Sequence, residues 1–496
     1  MRAAIAAAED GVEVVLLSKG RTAASGCSAQ LERGIEYCAL NCGPYGTRQQ
    51  ESLAADYLRT GMGLNRRDVV EAFVAGLPAE YERLMRLRLA VMEAPLAGPR
   101  LRWIGHRLHG GLIGQRGFAR DLLRCLRRSA AELGVTIFDR LQAVTLDSGE
   151  SGIRGVMALD LRQGGLRSFA AASVVLAAGG AGNLFPLTSN PADVVGDGLA
   201  LARRCGAGLA NTEFYSSYPL SLGRARRIYL IQPVLMAGRF MDARGETWRP
   251  EKVTSGDPLD LLLGVRDACR WIEARRRGGS ATPGGGAWWD GSGIPEATYR
   301  SRIPITCQRL RRMGIDLKRD RLELAPHAHQ SIGGVEVDAG ARSAVPGLFA
   351  VGETAAGLHG ALRINGSGVT AGLVQGAIAG RSAAAHARFA GRPAAPVNGH
   401  VPSGMAPASP GRLRALRDQI HSAMAPVLVV RGENDLRCAA RELRGVADEV
   451  EAMQFDPNEP AVASLREEVR NMAEAAGVMV EHSLRRRQPL GLFLTS

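Results

Sequence analysis

The stretch from Pro326 to Gly380, PHAHQSIGGVEVDAGARSAVPGLFAVGETAAGLHGALRINGSGVTAGLVQGAIAG, constrains this chain more than any other part. It sets a buried strand, a Gly-Glu turn and a helix start in close succession. Leu348 to Val351 is a short apolar run ending in Gly352 and Glu353, the form of a parallel strand that delivers an acidic side chain to a ligand at its C-terminal end. A carboxylate there accepts hydrogen bonds from ribose or ribityl hydroxyls. Asn365-Gly366-Ser367-Gly368 then opens Val369 to Ala385, small residues at helical spacing, so the first amide N–H groups and the positive dipole end face whatever precedes them. An anionic reduced flavin suits that position, and Gly366, Ser367 and Val369 are its candidate contacts beside Glu353.

Composition narrows the class. With 496 residues, 46% of them hydrophobic, the chain can bury a large core and is expected to form two or three units. The formal charge of +13 is nearly all arginine, Lys19, Lys252 and Lys318 being the only lysines. Arginine dispersed along a chain, with no basic stripe and no interleaved aromatics, argues against nucleic acid as a partner, whereas a positive field draws in small dicarboxylates. Arg275 to Gly279, RRRGG, reads as a solvated helix end. The cysteines form no C-x-x-C pair, and Cys38 and Cys42 alone fall short of a cluster motif, so no metal site is expected. No run of eighteen apolar residues occurs and Met1 to Ala8 reads as a short alanine-rich helix, so the protein is expected to be cytoplasmic with no membrane span of its own.

The pattern along the chain is that of alternating strands and helices. The opening helix and the strand Val12 to Leu17 form the second half of a β-α-β nucleotide unit, with Ser18 and Lys19 at the strand end where adenosine ribose contacts are made. An amphipathic helix at Gly117 to Leu133 precedes short strands at Val135 to Phe138, Val144 to Leu146 and Val156 to Leu161. Ser173 to Ala178 returns to the core sheet, and Ala178 and Gly179 lie where backbone approaches a cofactor closely. Asp197, between glycines before the helix Leu199 to Cys205, is a candidate flavin-contacting acid. From Glu213 the pattern breaks, with Trp, Arg and a Gly-Pro-rich stretch at Gly278 to Gly286. Beyond the Pro/Gly/Ala linker at Gly391 to Gly411, helical spacing resumes at Leu413 to Met424, Leu436 to Met453 and Val462 to Leu484.

Several motifs together resemble the flavoprotein family of fumarate reductase, succinate dehydrogenase and L-aspartate oxidase. The family pattern P-x-x-H-x-x-x-G-G-I, V-P-G-L-Y-A-x-G-E and G-x-x-G-A-N-R-x-x-x-N-S-L is met by His329, Gly333-Gly334, Pro346-Gly347, Gly352-Glu353, Gly360-Ala361, Arg363 and Ser367. Upstream, LLSKG at Leu16 to Gly20, SGCSAQLERGI at Ser25 to Ile35, VVLAAGGAGNLFP at Val174 to Pro186 and SNPADVVGDGLALARRCGAGL at Ser189 to Leu209 match as well. The resemblance implies an α/β fold: a Rossmann-like, three-layer ββα FAD-binding domain over 1–212 and 326–390, an inserted α+β capping domain over 213–325 and a C-terminal helical domain over 411–496. It adds Ser25, Gly26 and Ser28 to the cofactor contacts. Thr22 to Ser25 offers no histidine where covalently flavinylated members carry one, so the FAD is expected to be noncovalent. In the family a strand and a G-x-G-x-x-G loop precede a helix like Arg2 to Glu9. Met1 falls where that loop ends, so the expectation is a fragment or a wrongly assigned start, with a degraded, inactive relative as the alternative.

The implied activity is hydride transfer between flavin and a carboxylate-activated C–C bond, with electrons exchanged with an iron-sulfur or other electron-transfer partner. An L-aspartate oxidase-like activity is the enzyme alternative. Arg363 would clamp a carboxylate through a bidentate fork and His329 would donate a hydrogen bond to it. The family's proton donor is an arginine on a capping-domain helix, a position that spacing back from the glycines gives to Arg266 and leaves open to Arg270. Where the family carries Q-F-H-P-T this chain has Ser216 to Leu220, so Tyr218 replaces a histidine and implies a changed or larger substrate. His359 lies beside the same turn.

Overall fold

Parallel strands require long crossovers, and this chain brings its strands together across more than a hundred positions. In the computed structural model, Val15–Ser18 pairs in parallel with Thr136–Asp139, Val15 opposite Thr136, and Val174–Leu176 pairs in parallel with Leu348–Ala350, Val174 opposite Leu348. The structure describes residues 1–30, 38–40, 42–87, 91–94, 111–114, 118–250, 258–391, 401 and 403–495. The end of the Ser25 to Ile35 motif and most of the first half of the Pro/Gly/Ala linker lie outside these.

Two helices cover this layer. Arg2–Glu9 packs along Ser367–Ala390, and the close approach depends on glycine: a Cβ on Gly380 would come within 2.3 Å of Ala3 O. Arg2 also forms a buried fork with Glu80 on the helix Arg67–Arg86, its Nε 2.9 Å and its Nη2 2.6 Å from Oε1. One arginine thereby fixes three helices. A meander of Leu141–Gly149, Gly152–Asp160 and Leu166–Ala170 follows, longer than the isolated strands the sequence suggests because the hairpin at Gly149 and Gly152 extends the pairing.

The region after Glu213 is built on a five-stranded antiparallel sheet in the order Tyr215–Ser221, Leu322–Ser331, Ala287–Asp290, Arg239–Met241, Thr247–Trp248. The helix Pro258–Arg277 lies against it over a core of Trp289, Phe240, Leu235 and Ile272, and Trp289 Nε1 donates to Leu235 O at 2.8 Å, which satisfies the indole in an apolar setting. Leu322–Ser331 runs from this sheet to the flavin turn, so the two regions share one strand.

Three helices, Pro410–Met424, Glu433–Glu451 and Pro460–Arg485, close the chain around Leu416, Ile420, Leu443 and Met472. The first and third start before the periodic stretches read from sequence because proline at the first turn lacks only an N–H that has no partner there. The arginine run at Arg275 to Gly279 is not simply solvated. Arg277 donates to Pro426 O at 2.7 Å and Val430 O at 2.8 Å and pairs with Asp435 at 3.1 Å, joining the capping helix to the C-terminal helices. Among the described residues no helix is long and apolar enough to cross a membrane.

The Arg2–Glu80 fork yields a stability prediction. Glu80→Ala strands a buried guanidinium and is expected to cost about 3–5 kcal/mol, whereas Arg2→Met with Glu80→Leu, which removes both charges, recovers most of that loss. Urea unfolding midpoints of the two variants measure the difference.

Candidate active site

The strand Leu348–Ala350 leads into Gly352, whose φ of +63° turns the chain so that the carboxylate of Glu353 points inward. Its Oε1 accepts from Ser331 N at 2.8 Å, and Gly180 must lack a side chain because a Cβ there would lie 2.2 Å from that oxygen. Burial raises the Glu353 carboxyl to about 7, although the Ser331 N–H and the nearby Arg363 charge oppose the shift.

Around Glu353 stand Arg363, His329 and His359. Glu353, Arg363 and His329 are each half-buried, so they line accessible space rather than packed core. Arg363 makes no hydrogen bond or ion pair to a described residue, and its Nε is a buried donor without an acceptor, as His359 Nδ1 is a buried atom without a partner. Burial lowers the Arg363 pKa, and Glu353, Tyr229 and Tyr57 act against that shift. Desolvation first, and the Arg363 charge second, bring His329 and His359 from 6.5 down to about 3, so both imidazoles are neutral.

His329 is held by the first two residues of the Ser189 to Leu209 motif, to which the sequence assigned no such role. Asn190 Nδ2 donates to His329 O at 2.8 Å, and Ser189 Oγ lies 2.9 Å from His329 Nδ1. Ser189 Oγ also accepts from Asn190 Nδ2 at 3.3 Å and can donate to Ala328 O at 3.4 Å. With the Ser189 hydrogen on the closer Nδ1, the imidazole proton would sit on Nε2. Tyr218 and Tyr229 complete the wall: their rings stack at 4.3 Å, and they lie 5.8 and 5.9 Å from the His329 ring. Tyr218 is buried and donates its hydroxyl hydrogen to Leu230 O at 2.7 Å, whereas Tyr229 is deep but keeps surface toward the cavity.

The other expected residues are distributed around this centre. Gly366, with φ of +80°, starts the helix Ser367–Ala390, on which Ser367 is buried and Val369 half-buried. Ser18 ends its strand opposite Asp139, and Lys19 bonds Asp197 at 2.6 Å and Glu468 at 3.1 Å. These two acids outweigh the burial of Lys19 and hold its pKa above the ordinary value. Asp197 also accepts from Asn471 at 2.7 Å, so part of its hydrogen-bonding capacity is spent within the protein. Gly26 N donates to Asp193 at 3.1 Å, Ser25 Oγ bonds Arg21 O at 2.9 Å, and Ser28 and Ala178 are exposed. Gly179, at φ +81°, accepts from Thr354 Oγ1 at 3.0 Å. Arg266 is half-buried on the capping helix, with Nε 2.9 Å from Asp267 Oδ1 and Nη1 3.3 Å from Gly491 O, whereas Arg270 is exposed on the same helix.

Residues 1–369 match the family described as the FAD binding domain. The chain belongs to that family. Its donor set fits the cofactor: a buried carboxylate at a strand end, glycine-lined backbone and a long helix start surround a cavity with polar atoms that lack protein partners. This flavoprotein is an FAD-dependent oxidoreductase. It is 26% identical to one subunit of the fumarate reductase (CoM/CoB) of Methanothermobacter marburgensis, over 99% of this chain and 91% of that one. It is 32% identical to the L-aspartate oxidase of Mycobacterium leprae, over 79% of this chain and 73% of that one. Its fold is that of an Escherichia coli quinol fumarate reductase FrdA, at a TM-score of 0.83 and 22% identity over 100% of this chain and 88% of that one.

The buried histidines of this flavoprotein set its response to acid. His327, lowered to about 4 mainly by burial, joins His329 and His359 in staying neutral where the unfolded chain, at about 6.5, takes up protons. Their stabilisation is therefore complete above pH 6.5 and is lost as pH falls toward 3–4. Glu353 acts in the opposite sense between 4.5 and about 7, but it is one group against three. Stability in urea is expected to decline from pH 7 to pH 5, and His327→Gln should flatten that decline by up to about 1.4 kcal/mol per pH unit.

Proposed function

We propose that this protein reduces, or in reverse forms, a C–C double bond conjugated to a carboxylate. The observation that carries this reading is Arg363, a guanidinium deep in a cavity with no acceptor among the described residues, beside neutral His329 and the Glu353 turn. A buried charge without a partner is costly, and a ligand carboxylate that accepts its fork bidentately offsets that cost. His329 donates Nε2–H to the same carboxylate, and the two donors together draw electron density from the conjugated bond. FAD, when bound, supplies the hydride chemistry. Glu353, Gly366, Ser367 and Val369 would hold its flavin end, and Ser18, Lys19, Ser25, Gly26, Ser28, Ala178, Gly179 and Asp197 the remainder.

The carbon next to the carboxylate needs a proton when the bond is reduced. Arg266 is the donor in this proposal: Asp267 and Gly491 O fix its guanidinium, and an arginine gives up a proton only to a strongly basic carbanion such as forms there. The site belongs to the FAD-binding unit 1–212 with 326–390, closed by the capping unit 213–325 and braced by the helical unit 411–496. Resemblance to the fumarate reductase and succinate dehydrogenase flavoproteins supports an iron-sulfur protein as electron partner, through which the chain would lie peripheral to a membrane.

Anaerobic mixing of the dye-reduced holoprotein with fumarate, crotonate and related enoates tests the reading by reoxidation of the flavin. The 32% identity to an L-aspartate oxidase makes L-aspartate the second substrate to try, and peroxide release from it, with every enoate refused, would replace this proposal. Arg363→Met is expected to lower kcat/KM for the enoate about a hundred- to a thousandfold, with Arg363→Lys between the two because it keeps the charge but loses the fork. Flavin absorbance establishes that each variant still binds FAD.

A further inference from the structure

The clamp accounts for the carboxylate end of the substrate, and the wall beside it constrains the other end. A four-carbon dicarboxylate carries a second anion that needs its own cation or donors. Among the described residues Arg363 is the one cation that acts on Glu353, His329, His359 and Tyr229. The hydroxyl of Tyr218, at the position where the resembling family has a histidine, has given its hydrogen to Leu230 O at 2.7 Å. It can accept a hydrogen bond, but it has none left to donate to a carboxylate.

Three rings stand there instead. Tyr218 and Tyr229 stack at 4.3 Å with 21° between their planes, and Tyr229 lies 5.9 Å from His329 at 29°. Tyr218 is backed by the apolar core that includes Leu230, Ile228 and Leu235, which fixes its plane. Tyr229 packs on that core with one part and keeps the rest toward the cavity that holds Arg363. A wall of nearly parallel aromatic planes offers offset stacking to a flat apolar group and no cation to a second anion.

We propose that the site takes a 3-aryl acrylate: a monocarboxylate held by Arg363 and His329, with a planar aromatic ring on the far end of the double bond lying against Tyr229. The proposal rests on the carboxylate clamp and extends it to the remainder of the substrate. The reaction stays balanced, since two electrons and two protons convert the C=C bond to a C–C bond. An external one-electron donor, in the assay a reduced viologen dye, supplies the electrons through FAD.

The test uses the FAD-loaded full chain with trans-cinnamate and fumarate. Expected are a kcat/KM for cinnamate at least about tenfold above that for fumarate, and tighter binding of cinnamate to the oxidised protein, read from the perturbed flavin spectrum without turnover. Tyr229→Ala should raise both the KM and the spectroscopic Kd for cinnamate about tenfold, and by a larger factor than those for fumarate. The flavin spectrum reports directly whether the variant is folded. If fumarate is turned over and bound in preference to cinnamate, with Arg363→Met abolishing both, the clamp stands and the aromatic assignment is overturned. If neither acid binds nor reoxidises the flavin, the clamp fails and takes the aromatic assignment with it.

Discussion

A guanidinium set deep in the protein without an acceptor among the described residues is the constraint on which the rest of this structure turns. Taking such a charge even part of the way out of water is costly, and a paired carboxylate offsets that cost. The fold keeps Arg363 there by surrounding it with groups that tolerate it. Glu353 supplies a nearby negative potential when ionised, and His329 and His359 stay neutral and so add no repulsion. Replacing either imidazole by a permanent cation would make the arrangement untenable. The same features that let the charge persist leave its fork unspent, and an unspent fork is a recognition element for a carboxylate.

Backbone geometry makes the cavity possible. Gly352 and Gly366 occupy left-handed conformations at the two ends of the segment that carries Glu353 and Arg363, so both side chains leave the chain toward the same space. Gly180 leaves room for the Glu353 carboxylate, and Gly380 lets the first helix lie against the helix that begins at Ser367. Larger residues at these sites would push the wall of the cavity inward or lift the helix off it. Glycine here is a matter of volume as much as of dihedral freedom.

What could be read from the residues follows from how locally each feature is encoded. The strands at Leu348 and Val174 are apolar runs bounded by glycine, and Glu353, His329 and Arg363 sit at fixed spacings within one motif, so all were visible before the fold. The capping sheet was not, because its strands at Arg239–Met241 and Thr247–Trp248 are three and two residues long and have no period to detect. Tyr229 escaped notice for a related reason: it lies in an irregular segment after the short turn Gly223–Ala225, and only the folded sheet carries it to Tyr218. The Ser189–Asn190 grip on His329 spans about 140 positions and leaves no local trace. Arg277 looked like a solvated terminus because its acceptors, Pro426 and Val430, belong to a distant part of the chain.

The C-terminal segment gives the site its mechanical unity. Leu492 N donates to Ala361 O at 3.3 Å, two residues before Arg363, while Gly491 O accepts from Arg266 on the capping helix. Leu494 pairs with Val430 in a short parallel ladder, and the Arg431 guanidinium, buried, lies 5.1 Å over the Phe493 ring. A single extended stretch is thus fastened to the clamp loop, to the proposed proton donor and to the helical unit. Gly491 has no room for a side chain, since a Cβ would lie 2.7 Å from Ala361 O, so the stretch is pressed against the clamp loop rather than draped over it. The capping helix and the loop that carries Arg363 are thus joined through Gly491 and Leu492.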